Sequence, residues 1–341
     1  MKSSDNEWLS LFAAKTVLKR TRPILDEADG VRKGRDPACI HDMRVATRRL
    51  STALRLFEDC FPPKQARAWD RRLRRLRRAL GRARDLDVQI AFVKEFLRES
   101  RAFLGGAAEA GFRPGIRRLL QRLRQRRKQC QKRVAKAVNR FERREVLADM
   151  KGVAKEVRAA ARRSPMPHAA GVRRHAKDAI LARLGELRAL EPCVRQPGNF
   201  EAHHAMRIAA KRLRYTLEVF RPLYGKPLAK FIAAAQAAQQ RLGEIHDCDV
   251  WVDFLPRFLE EERARPAARD EAAKPMDRVA PGIRFLQEDR RRYRERRFKE
   301  FAAFWEKWRT DGLWEQLVEL VSTPPAANRS GRAKPSPSKA A

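Results

Sequence analysis

The sequence predicts an all-α protein built from two homologous helical halves. Ala, Leu, Arg, Glu and Gln dominate its 341 residues, and the alternation of β-branched and polar residues that marks a strand is rare. Proline and glycine clusters separate segments of about 20 residues, an ordinary helix length. Three motifs also occur twice in the same order, which indicates an internal repeat.

The repeat is clearest in a motif that begins with histidine. Residues 41–50 (HDMRVATRRL) return as residues 204–213 (HAMRIAAKRL) at an offset of 163. Leu80-Gly81 with Asp85 and Asp87 returns as Leu242-Gly243 with Asp247 and Asp249, at an offset of 162. Each half has room for about four helices, which favours two four-helix bundles. We expect the first repeat at residues 1–164, the second at 165–321 and a disordered tail at 322–341, rich in Pro, Ala, Ser and Lys.

Helices are expected to end at the proline and glycine clusters. These include Pro23, Pro114-Gly115, Pro222 and Pro281-Gly282, because proline removes a backbone donor and collides with the preceding turn. Pro114-Gly115-Ile116-Arg117 and Pro281-Gly282-Ile283-Arg284 form the third repeated motif, at an offset of 167.

Composition excludes several classes of protein. Hydrophobic residues make up 43% of the chain, which is enough for a core and excludes general disorder. No run approaches the ~20 apolar residues of a membrane span, and the first 20 residues lack a signal-peptide pattern. Five scattered cysteines without a CxxC pair argue against a disulfide framework or zinc site. These features predict a cytoplasmic protein with no metal and no cofactor.

The net charge points to a polyanionic partner. The chain has 78 Lys and Arg against 42 Asp and Glu, a net charge of +36, and arginines outnumber lysines 58 to 20. Such a chain repels itself unless anions offset the charge. The candidates are nucleic acid, an anionic membrane surface or a phosphate polymer. GC-rich codon usage explains the arginine bias equally well, so the positions of the charges matter more than their number.

Both histidine motifs predict a helix with one basic and one apolar face. At 100° per residue, the basic residues of each copy fall within a narrow arc and the apolar ones lie opposite. The basic residues are His41, Arg44, Arg48 and Arg55 in the first copy and His204, Arg207, Lys211 and Arg214 in the second. The apolar residues are Met43, Leu50, Leu54, Phe57 and Phe61, and then Met206, Leu213, Leu217, Phe220 and Tyr224. The basic faces should therefore point to solvent or into a cleft.

The next helix of the first half carries a second basic row, opposite Leu73, Leu76 and Leu80. Its members are Arg67, Arg71, Arg74, Arg75, Arg78 and Arg82. Like charges three or four residues apart destabilise a helix by about 0.2–0.5 kcal/mol per pair, which favours an anion-binding surface. The equivalent second-half residues are Ala229, Ala233, Gln236, Ala237, Gln240 and Glu244. Residues 1–163 carry a net charge of +25 and residues 164–341 a net charge of +11, so we expect most of the anion-binding residues in the first half.

A third basic block lies between residues 117 and 140. Its charges are equally compatible with ligand contact and with a solvated outer face.

Other chemistry receives less support from the sequence. The doublets His41-Asp42 and His246-Asp247 are compatible with a metal-dependent phosphohydrolase, but nearby arginines would repel a divalent cation. Asp85, Asp87, Asp247 and Asp249 are expected to pair with arginines or cap helices rather than act as acids and bases. A nucleic-acid-binding protein remains an alternative, although aromatic residues do not alternate with the basic rows.

The duplicated His-x2-Arg-x3-[Arg/Lys]-Arg-Leu helix with the downstream Leu-Gly-x3-Asp-x-Asp-Val resembles the CHAD family, the conserved histidine α-helical domains. The resemblance covers about residues 5–320. It implies two four-helix bundles related by a pseudo-two-fold axis. It also implies a basic central cleft that binds inorganic polyphosphate without catalysis, and association with polyphosphate granules. Carried over by motif, the site contains His41, Arg44, Arg48, Arg49, His204, Arg207, Lys211, Arg212 and Arg214. The basic rows add Arg55, Arg71, Arg74, Arg75, Arg78 and Arg82.

Overall fold

A computed structural model describes residues 2–103, 106–161, 169–265 and 276–324, and every regular element in these ranges is helical, so the all-α prediction is confirmed. The first-half helices are α1 (Lys2–Asp26), α2 (Ala28–Lys33), α3 (Pro37–Leu56), α4 (Pro63–Phe103), α5 (Gly106–Arg143) and α6 (Val146–Ala161). Those of the second half are α7 (Ala169–Arg188), α8 (Phe200–Tyr224), α9 (Ala229–Arg263), α10 (Met276–Thr310) and α11 (Leu313–Ser322). None of the described helices is long and apolar enough to cross a bilayer.

The order of helices follows the repeat. The histidine motifs lie on α3 and α8, the Leu-Gly motifs on α4 and α9, and the Pro-Gly motifs on α5 and α10. With α1 and α6 matched by α7 and α11, the described residues of each half contain five equivalent helices, one more than predicted, and α2 is an additional short helix of the first half. The boundary at 164/165 lies outside the described residues, as does the tail after residue 324, so both stay predictions.

The prediction that helices end at the proline clusters was wrong at four positions. Pro23, Pro114, Pro222 and Pro281 all lie inside helices, and α4 and α9 run for 41 and 35 residues instead of about 20. An interior proline costs a helix about 3 kcal/mol, so tertiary packing must offset the loss.

Glycine explains the packing beside two of these prolines. A Cβ atom on Gly115 would overlap the carbonyl oxygen of Val279, and one on Gly282 would overlap that of Phe112. The two Pro-Gly motifs therefore mark the point where α5 and α10 cross in close backbone contact. A side chain at either glycine would push the two helices apart.

The apolar faces predicted for the histidine helices are buried as expected, including Met43 and Leu50 on α3 and Met206 and Leu213 on α8. They belong to a core that draws residues from both halves. A second apolar cluster also combines both halves, at the ends of the long helices α4, α5, α9 and α10. Because α3 packs directly on α8, the two basic faces can open onto the same space.

Candidate anion-binding site

The two histidine helices begin in the same way. The Asp36 side chain caps α3 by accepting a hydrogen bond from the Ala38 backbone N–H at 2.8 Å. Asn199, its equivalent, caps α8 by accepting from the Ala202 N–H at 3.1 Å. Such caps fix where a helix starts. His41 and His204 consequently occupy the same position relative to their helix starts, and the basic rows that follow are in register.

Both basic rows reach one cavity of about 770 Å³, which we call the central cleft. Helices α3, α4, α8, α9 and α10 form its walls. His41, Arg44 and Arg48 enter from α3, and Arg207 and Lys211 enter from α8. The remaining histidine and charged residues of its lining are Arg84, Asp85, Glu244, His246, Asp247 and Arg290. Six Lys and Arg against three Asp and Glu leave an excess of three positive charges before any histidine is counted.

Three cations of the cleft, Arg44, Arg207 and Lys211, are poorly compensated by nearby carboxylates. Burial and the charges of Arg48, Arg207 and Arg44 lower the pKa of Lys211 to about 7. Burial, and then the charge of Arg48, also lowers the pKa of Arg44, and burial lowers that of Arg207. A bound anion would reverse these effects, because an opposite charge favours the protonated form of each cation.

Arg207 also has an unsatisfied donor. Its Nε is buried and has no hydrogen-bond partner among the described residues. A buried unpaired donor costs about 1–3 kcal/mol, and a ligand oxygen at this position would recover that cost.

The Leu-Gly motif makes room for the first arginine of the histidine motif. A Cβ atom on Gly81 would lie 2.8 Å from Arg44 Nη1, and one on Gly243 would lie 3.5 Å from Arg207 Nε. Arg44 Nη1 also donates to the Arg77 carbonyl oxygen at 3.4 Å. In the first half the glycine of α4 therefore gives Arg44 room against that helix, whereas the 3.5 Å separation at Gly243 is an ordinary van der Waals contact.

Of the two motif histidines, His41 lines the central cleft, whereas His204 does not line it and instead contacts His246, which does. His41 is exposed along the cavity wall, where burial and the charge of Arg84 lower its pKa. His204 is half-buried, and its Nδ1 lies 3.2 Å from Nδ1 of His246. Burial and the charge of His204 lower the pKa of His246 to about 4, so His246 is neutral at pH 7. Within the described ranges, no group of three or more His, Cys, Asp or Glu is placed to hold a metal ion.

The motif aspartates divide into two pairs. Asp87 accepts a hydrogen bond from Arg127 Nε at 2.6 Å, and Asp249 accepts one from Arg294 Nε at 2.5 Å, which confirms the predicted pairing with arginines. Asp85 and Asp247 instead line the central cleft. Burial raises the pKa of both carboxyl groups, and the nearby arginines act against that rise.

Three of the site residues carried over by motif have carboxylate partners. Arg49 Nε and Arg214 Nε donate to the two oxygens of Glu218 at 3.0 and 2.9 Å, which ties α3 to α8. Arg212 is exposed and donates to Glu186 on α7 at 3.4 Å. None of the three lines the central cleft. A phosphate ligand would have to compete with these carboxylates.

The basic row on α4 is divided in a similar way. Arg55 and Arg74 share Asp70, at 3.7 and 2.7 Å. Arg74, Arg78 and Arg82 line a cavity of about 1,000 Å³, the side cavity, which also contains Arg44, Arg48 and Asp85 of the central cleft. Arg75 lines a neighbouring groove, and Arg71 is exposed at the surface.

Sequence reasoning missed several residues of these cavities. Arg77 lines the side cavity, where burial lowers its pKa to about 10, and Arg84 and Arg290 line the central cleft. Arg84 immediately precedes Asp85 of the repeated motif, and Arg290 falls in a basic block of the second half. Both signals were present in the sequence, but only the packing of α4 and α10 shows which charges face the cleft.

A family model for the CHAD domain matches residues 16–256, which is more than half of the chain. The chain belongs to the CHAD family. This confirms the resemblance inferred from the repeated motifs. CHAD domains are generally binding domains, and the family is associated with polyphosphate binding.

Solved structures show that the CHAD fold extends over most of the chain. The crystal structure of the CHAD domain from the plant Ricinus communis matches with a TM-score of 0.60 and 23% identity, covering 86% of this chain and 90% of that one. PptA from Streptomyces chartreusis matches with a TM-score of 0.53 and 18% identity, covering 87% of this chain and 99% of that one. At such identities the likeness establishes the fold. No curated protein sequence matches the chain.

Proposed function

We propose that this CHAD protein binds inorganic polyphosphate in its central cleft and catalyses no reaction on it. The observation that carries the proposal is the meeting of Arg44 and Arg48 from one half with Arg207 and Lys211 from the other in one cavity. The association of the family with polyphosphate supports the same ligand. Recruitment to polyphosphate granules would follow from this binding.

The chemistry of the cleft suits a phosphate polymer. Arginine makes forked hydrogen bonds to phosphate oxygens, and the helical rows present donors at intervals of about 5.4 Å per turn. Polyphosphate carries a dense charge and has no bases, so a rigid set of cations is sufficient to hold it. Binding should be driven by charge pairing and release of counterions, as with nucleic acids.

The aromatic residues of the cleft favour polyphosphate over single-stranded nucleic acid. Phe92, Trp251 and Tyr293 line the cavity, but Arg290 lies over Phe92 and Tyr293 at 4.7 and 4.6 Å from the ring centroids. Trp251 is buried. Because arginine already covers two of the rings, they are poor platforms for stacked bases.

A competition between ligands tests the proposal. Long-chain polyphosphate and duplex DNA should be titrated at matched total charge and equal salt concentration. We expect polyphosphate to bind at least about tenfold more tightly, a difference of about 1.4 kcal/mol, because a flexible phosphate chain can follow the cations that converge in the cleft. Equal or tighter binding of DNA would favour the nucleic-acid alternative. Phosphate release that requires added divalent metal and is lost in His246→Ala would favour the phosphohydrolase instead.

A further inference from the structure

We propose that a long polyphosphate chain leaves the central cleft on one side only and continues along a groove between α4 and α5 of the first half. This inference rests on the proposed function and adds a second binding segment to it. We call this segment the α4–α5 groove. Its cations are Arg72, Arg75, Arg133, Lys136, Arg140 and Arg144.

The central cleft and the α4–α5 groove are connected by the side cavity. The side cavity shares Arg44, Arg48 and Asp85 with the central cleft. It shares Arg133 with the α4–α5 groove. Neighbouring parts of this path therefore have residues in common, and a bound chain can pass from one to the next without leaving the basic surface.

The cations of the α4–α5 groove lie on two helices that run in opposite directions, with Arg144 directly after the end of α5. Arg82 of α4 shares the side cavity with Arg133 of α5, whereas Arg72 shares the α4–α5 groove with Arg140. Each helix contributes a cation about every turn. The ten helical steps from Arg72 to Arg82 span about 15 Å of α4, and both sides of the path are basic over that distance.

The charges of the α4–α5 groove are not neutralised within the protein. None of its six cations forms an ion pair with a carboxylate in the described part of the chain. Five of the six are exposed and Arg72 is half-buried. The floor of the groove is apolar, with Leu76 and Phe141 buried beneath the cations. The six cations repel one another, and an extended anion between the two rows would relieve this repulsion.

The second half lacks this path. The ion pair between Arg127 and Asp87 in the first half matches the ion pair between Arg294 and Asp249 in the second. These pairs align α5 with α10 at an offset of 167 residues and α4 with α9 at an offset of 162. The residues that replace the six cations are Ala234, Ala237, Glu300, Ala303, Lys307 and Asp311. Six positive charges in the first half thus correspond to a net charge of −1 in the second.

Ion pairs also neutralise this region of the second half. Arg297 pairs with Glu244 at 3.1 Å and with Glu300 at 2.5 Å. Glu244 lines the central cleft on this side. A phosphate chain that leaves the cleft toward α9 and α10 meets carboxylates, whereas one that leaves toward α4 and α5 meets arginines. Only the first-half exit is favourable.

A comparison of two ligand lengths tests the one-sided path. The triple variant Arg133→Gln/Lys136→Gln/Arg140→Gln removes three exposed charges from the α4–α5 groove. The control Arg117→Gln/Arg124→Gln/Lys128→Gln removes two arginines and one lysine that are exposed elsewhere on α5. The affinities for tripolyphosphate and for long-chain polyphosphate are measured for both variants and the unmodified protein over a range of salt concentrations.

We expect the groove variant to lose about ten- to hundred-fold in affinity for the long chain, and to bind tripolyphosphate as the unmodified protein does. Its salt slope for the long chain should fall by about 2, since each lost contact contributes about 0.7. Equal losses of affinity in the groove variant and the control would contradict the one-sided path, and so would an unchanged affinity of the groove variant for the long chain. Neither result would contradict binding in the central cleft. Failure of the unmodified protein to bind either ligand would overturn the proposed function itself.

Discussion

Replacing Arg44 and Arg48 together by Glu should lower the affinity for long-chain polyphosphate by at least about a hundred-fold, or about 3 kcal/mol. These arginines line both the central cleft and the side cavity, so a chain that passes from the cleft to the α4–α5 groove must contact them. The variant also places two negative charges where phosphate groups should lie. Isothermal titration calorimetry at a fixed salt concentration measures the change.

The same variant should remain folded. Arg44 and Arg48 repel each other and the neighbouring Arg207 and Lys211, so their replacement removes like-charge repulsion from the cleft. Arg117→Glu/Arg124→Glu makes the same change of charge at exposed positions of α5 and should lose much less affinity. If both double variants lose affinity equally while their melting temperatures are unchanged, binding depends on total charge and the cleft has no special role.

Affinity for long-chain polyphosphate should fall as the pH rises above about 7, because Lys211 loses its charge there. In the unbound protein, the Lys211 amine has a pKa of about 7. A bound phosphate chain would raise this pKa because it favours the charged form. Binding above pH 7 therefore takes up a proton at this residue, and the affinity should change by a factor that approaches tenfold per pH unit. Long chains are used so that titration of their terminal phosphates has little influence.

The variant Lys211→Arg separates this residue from the other titrating groups. Arginine stays charged throughout this range, so the affinity of the variant should be nearly constant between pH 7 and 9. Lys230→Arg alters an exposed lysine outside the cleft and should keep the original pH dependence. A steep pH dependence that survives in Lys211→Arg would assign the proton uptake to another group.

Local periodicity accounts for the parts of the fold that the sequence predicted correctly. The apolar stripes of α3 and α8 are buried and their basic stripes reach the cleft, since a helix needs only its own residue spacing to define its faces. The repeated motifs likewise predicted the order of equivalent helices in the two halves. Neither inference required knowledge of how the helices pack.

Tertiary contacts explain what the sequence could not show. Pro114 and Pro281 lie inside long helices because Gly115 and Gly282 let α5 and α10 cross closely, a relation between residues 167 positions apart. A proline cluster alone cannot reveal that its helix is stabilised by such a partner. At Pro114 and Pro281 the predicted helix ends were wrong because a distant contact outweighed the local preference.

Local sequence information was also insufficient to predict which residues form the candidate site. Arg49 and Arg212 follow their motif histidines by eight residues, about 80° away from them on the helix, and both contact carboxylates outside the cleft. Motif matching grouped them with the site, whereas their angle on the helix separates them from it. Arg290 was missed for the opposite reason, because it reaches the cleft from α10, far from either histidine motif in the sequence.

The central claim is that polyphosphate lies between the two histidine helices, and the most direct test is a crystal structure of the protein with bound polyphosphate. We predict phosphate groups within hydrogen-bond distance of Arg44 and Arg48 on one side and of Arg207 and Lys211 on the other. Polyphosphate bound only to the outer surface of α5, with the space between α3 and α8 free of phosphate, would contradict the account.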